Sequence, residues 1–214
     1  GYGDYGRISD KLHRLREEGL HFTIWGATVP ELDGHAIGCD NISGGAMATR
    51  HLLELGRRRI AHIGSNLDDH PEFKARFEGY CRAHESAGVA RIPELAVETD
   101  NQETEAFEAT QRLIDAGIEF DAVFTASDLI ALGAMKCLQK NGLNIPEQVS
   151  LVGFDDIPAA TYVTPALTTV RQDTRLAAEA LLGNLLKMIG GESVSSPQVP
   201  LSLLVRGSCG GRTP

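Results

Sequence analysis

Two adjacent carboxylates, Asp155 and Asp156, follow a short apolar run at residues 149–154. The run is rich in β-branched and apolar residues, which predicts a buried strand. Ligands of open α/β sheets bind beyond the carboxyl ends of the strands. Because neighbouring side chains at a strand end point in different directions, the pair is poorly placed to act as acid and base on one bond. We therefore interpret Asp155 as an acceptor for the hydroxyl groups of a bound ligand.

A guanidinium interrupts the apolar face of a predicted helix that begins near Pro71. Phe73, Arg76, Phe77 and Tyr80 are spaced i, i+3, i+4 and i+7, so Arg76 lies on the apolar stripe itself. A buried charge is unfavourable unless it is paired or faces a ligand. Arg76 therefore has either a buried carboxylate partner or a polar ligand.

Other candidate ligand contacts follow or end predicted strands. Asn101 follows a strand at 95–97, and Ser127 follows a strand at 121–126. Trp25 ends a strand at 21–25 and is either a core residue or a flat platform for a sugar ring. Asp128 is interpreted as the N-cap of the helix at 129–138. The loop before the arginine-bearing helix adds second contacts, or is an ordinary solvated loop: Asp69, His70 and Glu72.

The motifs of common enzymes are missing from the chain. There is no GxSxG, HExxH or P-loop sequence, and no cysteine is placed with a histidine. The GxGxxG pattern at residues 1–6 lacks the preceding strand that a dinucleotide site needs. Cys39, Cys81, Cys137 and Cys209 are far apart, which is typical of isolated thiols in a reducing compartment. We expect no catalysis, cofactor or metal.

The charge balance argues against a nucleic-acid surface in this stretch. The 214 residues carry a net charge of −9, whereas phosphate binding needs clustered Lys and Arg. Arg57–Arg59 is the one basic run, and we interpret it as a helix C-terminus favoured by the helix dipole and by solvent. No apolar run approaches the length of a membrane span.

Strands and helices alternate from Ile60 to Asp155, which predicts a parallel, doubly wound sheet. Beyond Asp155, two prolines separate this sheet from an apolar run that begins at Leu167. We predict that the chain leaves one sheet there and enters another. Residues 199–205 alternate as one final strand, and residues 207–214 are expected to be a mobile tail.

Several of these motifs together carry a family resemblance. VGFDDIP at 152–158, TPALTTVRQD at 164–173, HLLELGRRRIA at 51–61 and RFEGY at 76–80 resemble the effector-binding part of the LacI/GalR transcription regulators. The resemblance extends from about Leu12 to Arg206. It implies an α/β, two-lobed, type I periplasmic-binding-protein-like fold with doubly wound parallel sheets and an incomplete amino-terminal lobe. The implied lobes are 1–58 with 159–192, and 59–158 with 193–214.

The resemblance also implies a function. Arg76 matches the family's effector-contacting arginine, so we favour a ligand as its partner, whereas Ser127 replaces the usual asparagine. The effector is expected to be a sugar whose binding closes the lobes and alters operator affinity in a cytoplasmic, homodimeric repressor. DNA contact is expected to belong to a headpiece that this chain does not contain. A nucleobase is the alternative effector. Asn101 stands where several family members have an aromatic residue, which argues against stacking of a flat base at that position. The alternative function is that of a periplasmic sugar receptor. The expected dimer surface comprises Leu132, Met135 and Tyr162.

Overall fold

The computed structural model describes residues 5–27, 32–65 and 70–211, with side chains from residue 11 onward. Six α-helices and nine strands lie within these ranges. The helices are α1 (Tyr5–Glu17), α2 (Asn41–Glu54), α3 (Pro71–Ser86), α4 (Glu103–Asp115), α5 (Asp128–Lys140) and α6 (Thr174–Ile189). The strands are β1 (Ile24–Trp25), β2 (Ala36–Cys39), β3 (Ile60–Ile63), β4 (Ala96–Val97), β5 (Ala122–Thr125), β6 (Ser150–Asp155), β7 (Thr168–Gln172), β8 (Gln198–Val199) and β9 (Leu201–Leu204).

The larger of two sheets has six strands in the order β4-β3-β5-β6-β7-β9. The pairs from β4 through β7 are parallel, with Val152 of β6 opposite Thr168 of β7. β3 and β5 are buried along their whole length, because helices follow them in sequence and cover the sheet. This confirms the predicted α/β fold with a parallel sheet. The smaller sheet, β1-β2-β8, is also parallel.

The described chain divides into two compact units. The smaller unit comprises residues within 1–40, 67–72 and 172–201, and the larger comprises residues within 41–66, 73–171 and 202–214. These bounds differ from the predicted lobes at four places, one of which is the start of α3, where residues 70–72 belong to the smaller unit. Residues 41–58 belong to the larger unit because α2 packs on β5 and β6. Residues 159–171 belong there because β7 pairs with β6, whereas β8 pairs with β2 and places 193–201 in the smaller unit.

Two expectations for the last third of the chain are wrong. The run after Leu167 does not enter a new sheet, since β7 continues the sheet of β6. The predicted strand at 199–205 is two strands in different sheets, divided at Pro200, whose missing N–H interrupts strand pairing.

The predicted mobile tail is partly wrong. Residues Gly207–Cys209 form a 3-10 helix in which Ser208 and Cys209 are buried. The Ser208 hydroxyl donates to the carbonyl of Leu151 at 2.6 Å and accepts from the Thr168 N–H at 2.8 Å, so it ties this segment to β6 and β7.

None of the described helices combines the length and the apolar character that a bilayer crossing requires.

Candidate ligand-binding site

Two glycines bring α2 and α3 into backbone contact. A Cβ at Gly45 would lie 2.1 Å from the carbonyl oxygen of Arg76, and a Cβ at Gly79 would lie 2.1 Å from that of Ile42. Any side chain at either position would therefore push the helices apart. The close crossing brings Asn41, the first residue of α2, beside Arg76 of α3.

Arg76 is 1% exposed and is fixed by groups from three elements. Its Nε donates to Asn41 Oδ1 at 2.8 Å, and its Nη1 donates to the carbonyl of Ala126 at 2.5 Å and to Asp155 Oδ1 at 3.4 Å. The guanidinium carbon lies 3.7 Å from the centre of the Phe154 ring, a cation–π contact. The carboxylate partner that the sequence left open is therefore Asp155.

The described residues leave one nitrogen of this guanidinium without a partner. Among residues 5–27, 32–65 and 70–211, no hydrogen-bond partner is found for Nη2 of Arg76, whereas Nε and Nη1 are both engaged. A charged donor held rigid by its neighbours is suited to bind the oxygen of a polar ligand.

The backbone at Asp155 and Asp156 is unusual. Their φ angles are 122° and 63°, and within the described chain they are the non-glycine residues with positive φ. Such conformations are unfavourable for side-chain-bearing residues and concentrate at functional sites. The two carboxylates bind different arginines: Asp155 pairs with Arg76, and Asp156 pairs with Arg206 at 2.6 Å and Arg171 at 3.8 Å. This turn directs only Asp155 toward Arg76.

Asp128 lies under the turn and is not the helix cap that the sequence predicted. The N-cap of α5 is Ser127, whose Oγ accepts from the N–H of Ile130. Asp128 is fully buried; its Oδ2 accepts from the N–H of Ile157 at 2.9 Å, and its Oδ1 accepts from Thr169 Oγ1 at 2.7 Å. Burial raises the pKa of this carboxyl to about 7, although both hydrogen bonds act in the opposite direction.

Ser127 supports Asn101. Besides capping α5, the Ser127 hydroxyl donates to Asn101 Oδ1 at 2.5 Å. The single hydrogen of the hydroxyl is thus already used, so we expect Ser127 to orient Asn101 and Asn101 to face the ligand. Asn101 is half-buried, and its amide nitrogen has no hydrogen-bond partner in the described part of the chain.

Three further predicted contacts lie in the smaller unit, and their role stays a prediction. Trp25 is 40% exposed at the end of β1, so it is not a fully buried core residue. Glu72 Oε1 accepts from the N–H of Ala27 at 2.8 Å, which ties the start of α3 to the segment after β1. His70 is half-buried, and Asp69 lies outside the described residues.

The predicted dimer surface needs one correction. Met135 is 3% exposed and belongs to the hydrophobic core formed by the parallel sheet and its helices, so it is unavailable to a partner. Leu132 on the same helix is half-buried, and Tyr162 is 85% exposed. These two residues remain predicted contacts.

Arg58 and Arg59 of the basic run are exposed to solvent, whereas Arg57 is half-buried and bound to the protein. All three nitrogens of the Arg57 guanidinium donate within the chain: Nε to Ser150 Oγ, Nη1 to the Gln148 carbonyl and Nη2 to the Pro146 carbonyl. Arg58 Nη1 donates to the carbonyl of Leu53 near the end of α2, and Arg59 Nε donates to that of Glu119.

Sequence reasoning missed two supporting residues. Asn41 is not among the predicted site residues, although a polar side chain at the start of a helix is a signal for local hydrogen bonding. Arg206 near the carboxyl end had no partner visible in the sequence, because its contact with Asp156 joins segments 50 residues apart. Among the described residues no cluster of three or more His, Cys, Asp or Glu could hold a metal.

Comparison with known proteins identifies the family of this chain. Residues 49–209 match the family described as periplasmic binding protein-like domain. The HTH-type transcriptional regulator CelR of Thermobifida fusca is 35% identical over 198 residues, which are 91% of this chain and 58% of CelR. The chain thus spans little more than half the length of this curated relative.

Solved structures give the same result. A complex of the transcriptional regulator CelR with cellobiose superposes with a TM-score of 0.83 at 34% identity, covering 91% of this chain and 60% of that one. A sugar-binding transcriptional regulator of the LacI family from Escherichia coli, complexed with phosphate, superposes with a TM-score of 0.83 at 28% identity, covering 93% and 72%. The chain therefore belongs to the periplasmic binding protein-like domain family, in the branch of the LacI/GalR regulators.

Proposed function

We propose that this chain is the effector-binding domain of a LacI/GalR transcription regulator and that its effector is a carbohydrate. The observation that carries the proposal is the pair of Arg76 and Asp155 at the carboxyl end of β6. One member of the pair retains a donor nitrogen without a partner in the described chain, and the other is held in a strained backbone conformation. Strain of this kind persists only where the surrounding structure maintains it.

The chemistry of the pair suits a sugar. Each sugar hydroxyl both donates and accepts a hydrogen bond, so recognition needs a donor and an acceptor side by side. Arg76 Nη2 supplies the donor, and the Asp155 carboxylate supplies the acceptor. The amide of Asn101, oriented by Ser127, adds a neutral donor after β4, the edge strand of the same sheet.

The relatives support this choice of ligand and the role in regulation. The CelR structure is a cellobiose complex, and CelR is named as a transcriptional regulator. For the whole protein we propose control of transcription in the cytoplasm through a separate DNA-binding part, and a homodimer that uses Leu132 and Tyr162. Closure of two lobes around the effector stays a prediction from the family resemblance.

A ligand panel tests the proposal. The melting temperature of the 214-residue chain is measured with cellobiose, other mono- and disaccharides, sugar phosphates and purine bases. A ligand at 100 times its dissociation constant stabilises the folded state by about 2.7 kcal/mol, a shift that is easily measured. We expect one sugar to raise the melting temperature of the parent and of Arg82→Ala, but not of Arg76→Ala.

Arg82 is the matched control because it lies on the same helix as Arg76 and its side chain is 60% exposed. Asp155→Asn is compared in the same way with Asp115→Asn on the exposed face of α4. Equal shifts in parent and Arg76→Ala would show that the site is wrongly assigned. The carbohydrate effector would be excluded if only purine bases raised the melting temperature, or if none of the sugars did.

A further inference from the structure

A second carboxyl group, that of Asp128, contacts the 155–157 turn but does not contact Arg76. Asp128 is completely buried at the start of α5, and its two oxygens accept from the N–H of Ile157 and the hydroxyl of Thr169. Ile157 directly follows the two residues with positive φ. Asp128 therefore anchors the far end of the turn whose near end carries Asp155.

The sequence makes room for this carboxylate. A Cβ at position 153 would lie 2.2 Å from Asp128 Oδ1, so the glycine of β6 is required where the carboxyl group reaches the sheet. A fully buried carboxylate is unfavourable in its charged form. An asparagine of the same shape would avoid this penalty. The presence of an aspartate that lowers the stability of the folded state is explained if the turn depends on the negative charge of its carboxylate.

We propose that Asp128 is a positioning residue for the effector: its carboxylate holds the 155–157 turn through the Ile157 N–H, and effector affinity rises when Asp128 loses its proton. The inference rests on the proposed function. An ionised acceptor forms a stronger hydrogen bond with a backbone N–H than a protonated one does. The tighter turn keeps Asp155 beside Arg76, where it accepts from the ligand.

The charged groups that face Asp128 come from the turn. They are Asp155, which opposes its ionisation, and Asp156, whose backbone N–H favours it. Asp155 is paired with Arg76 of α3, and Asp156 with Arg206 and with Arg171 of β7. The contacts from β6 and β7 themselves, Gly153 and Thr169, are neutral. Because burial raises the pKa of Asp128 to about 7, its charge changes within an accessible pH range.

The first experiment needs no ligand. The carboxyl carbon of Asp128 and the backbone amide of Ile157 are followed by NMR from about pH 5 to pH 9 in the labelled chain, in Asp128→Asn and in Asp128→Ala. We expect both signals of the parent to titrate with one midpoint, and the Ile157 amide of both variants to lose that transition. An Ile157 amide that titrates equally in Asp128→Asn, or not at all in the parent, would overturn the positioning role.

The second experiment measures affinity for cellobiose by calorimetry at about pH 5.5 and pH 8.5; if cellobiose does not bind the parent, the sugar with the largest thermal shift replaces it. We expect parent affinity to rise roughly tenfold, the factor that corresponds to 1.4 kcal/mol. Asp128→Asn, which retains one acceptor for Ile157, should bind equally at both pH values, as the parent does at the lower one. Asp128→Ala should bind more weakly at both.

A purely structural role would lower the melting temperature of Asp128→Ala and leave the pH dependence of affinity in Asp128→Asn like that of the parent. That result would overturn the proposal. Asp115→Asn, an exposed carboxyl of α4, is the control and should follow the parent at both pH values. If no sugar binds the parent, the affinity claim falls together with the proposed function, while the NMR titration still decides whether Asp128 holds the turn.

Discussion

Arg57 and Arg76 lie at opposite ends of β6 and use their guanidinium groups differently. At the amino end, Arg57 donates from all three nitrogens, to the Ser150 hydroxyl and to backbone carbonyls of the 146–148 loop. At the carboxyl end, Arg76 is engaged through Nε and Nη1 and is stacked on Phe154.

We interpret the difference as that between a structural arginine and one that we propose binds the effector. Arg57 replaces water at carbonyls that the fold leaves without strand partners, so its hydrogen bonds are completed by the chain. Arg76 is the more deeply buried of the two, yet its hydrogen bonding is incomplete within the described residues. The backbone beside Arg76 is also strained, with φ of 122° at Asp155. Burial alone therefore does not distinguish the two roles, whereas completeness of hydrogen bonding does.

The largest effect on stability is expected from Gly79→Ala, which changes the packing of α2 on α3 beside the carboxyl end of β6. The new Cβ would lie 2.1 Å from the carbonyl oxygen of Ile42, so α2 and α3 must separate and Asn41 must leave Arg76. Overpacking of this severity costs about 3 kcal/mol. Denaturant unfolding measures the loss.

Gly183→Ala in α6 is the control for that substitution. A Cβ at this helical position meets nothing within 4 Å, so alanine should stabilise the chain by about 0.5–1 kcal/mol. Equal effects of the two glycine substitutions would contradict the account of the helix crossing.

Acid should destabilise the chain through His62, which lies between the two ends of the sheet. Burial lowers the pKa of His62 to about 3, so the folded state holds it neutral while the unfolded state protonates below about pH 6.5. Stability is therefore lost as the pH falls, by about 1.4 kcal/mol for each pH unit between these values.

His62→Phe should remove most of this acid dependence, because phenylalanine does not titrate and suits the surrounding Phe77, Tyr80 and Phe124 rings. Unfolding free energies at about pH 4.5 and pH 7 give the comparison. An unchanged pH slope in the variant would assign the acid sensitivity elsewhere.

Arg57→Lys tests the amino end alone. Lysine keeps the charge but lacks the planar fork that reaches Ser150 and the 146–148 carbonyls together. We expect a loss of about 1–2 kcal/mol in the free energy of unfolding, from two or three hydrogen bonds to backbone and hydroxyl groups. Arg82→Lys on the exposed face of α3 should change stability by less than about 0.5 kcal/mol.

Asp128→Asn tests the charge of the buried carboxyl group beside the 155–157 turn. Because the folded-state pKa is raised from 3.8 to about 7, ionisation of Asp128 opposes folding as the pH rises through this range. The variant should therefore be more stable than the parent at about pH 8 and similar at about pH 4. Thermal unfolding at both pH values checks the sign, and a variant less stable at pH 8 would contradict it.

Local pattern was enough to predict the carboxyl end of the sheet. Alternating strand and helix signals predicted the parallel order, and the i, i+3, i+4, i+7 spacing placed Arg76 on a buried helix face. The positions of Asp155 and Asn101 followed from strand ends. Local pattern did not predict the hydrogen-bond partner of each side chain, because partners such as Asp155 and Arg76 are 79 residues apart.

The wrong predictions share one cause. The predictions of Asp128 as a helix cap and of β7 in a second sheet are wrong because the true arrangement depends on neighbours distant in sequence. The carboxyl of Asp128 contacts Thr169 of β7, 41 residues away, and only the pairing of β6 with β7 places it there. Likewise, no local signal shows that Arg57 reaches the 146–148 loop.

Sugar affinity of Arg76→Lys and Arg57→Lys, measured side by side by calorimetry with the sugar identified in the ligand panel, tests the central claim most directly. Lysine at position 76 can still pair with Asp155 but lacks the second terminal nitrogen, so we predict at least tenfold weaker binding with the fold retained. Arg57→Lys should bind like the parent in spite of its lower stability. Unchanged affinity in Arg76→Lys, or equal losses in both variants, would contradict the division between a binding end and a structural end of the sheet.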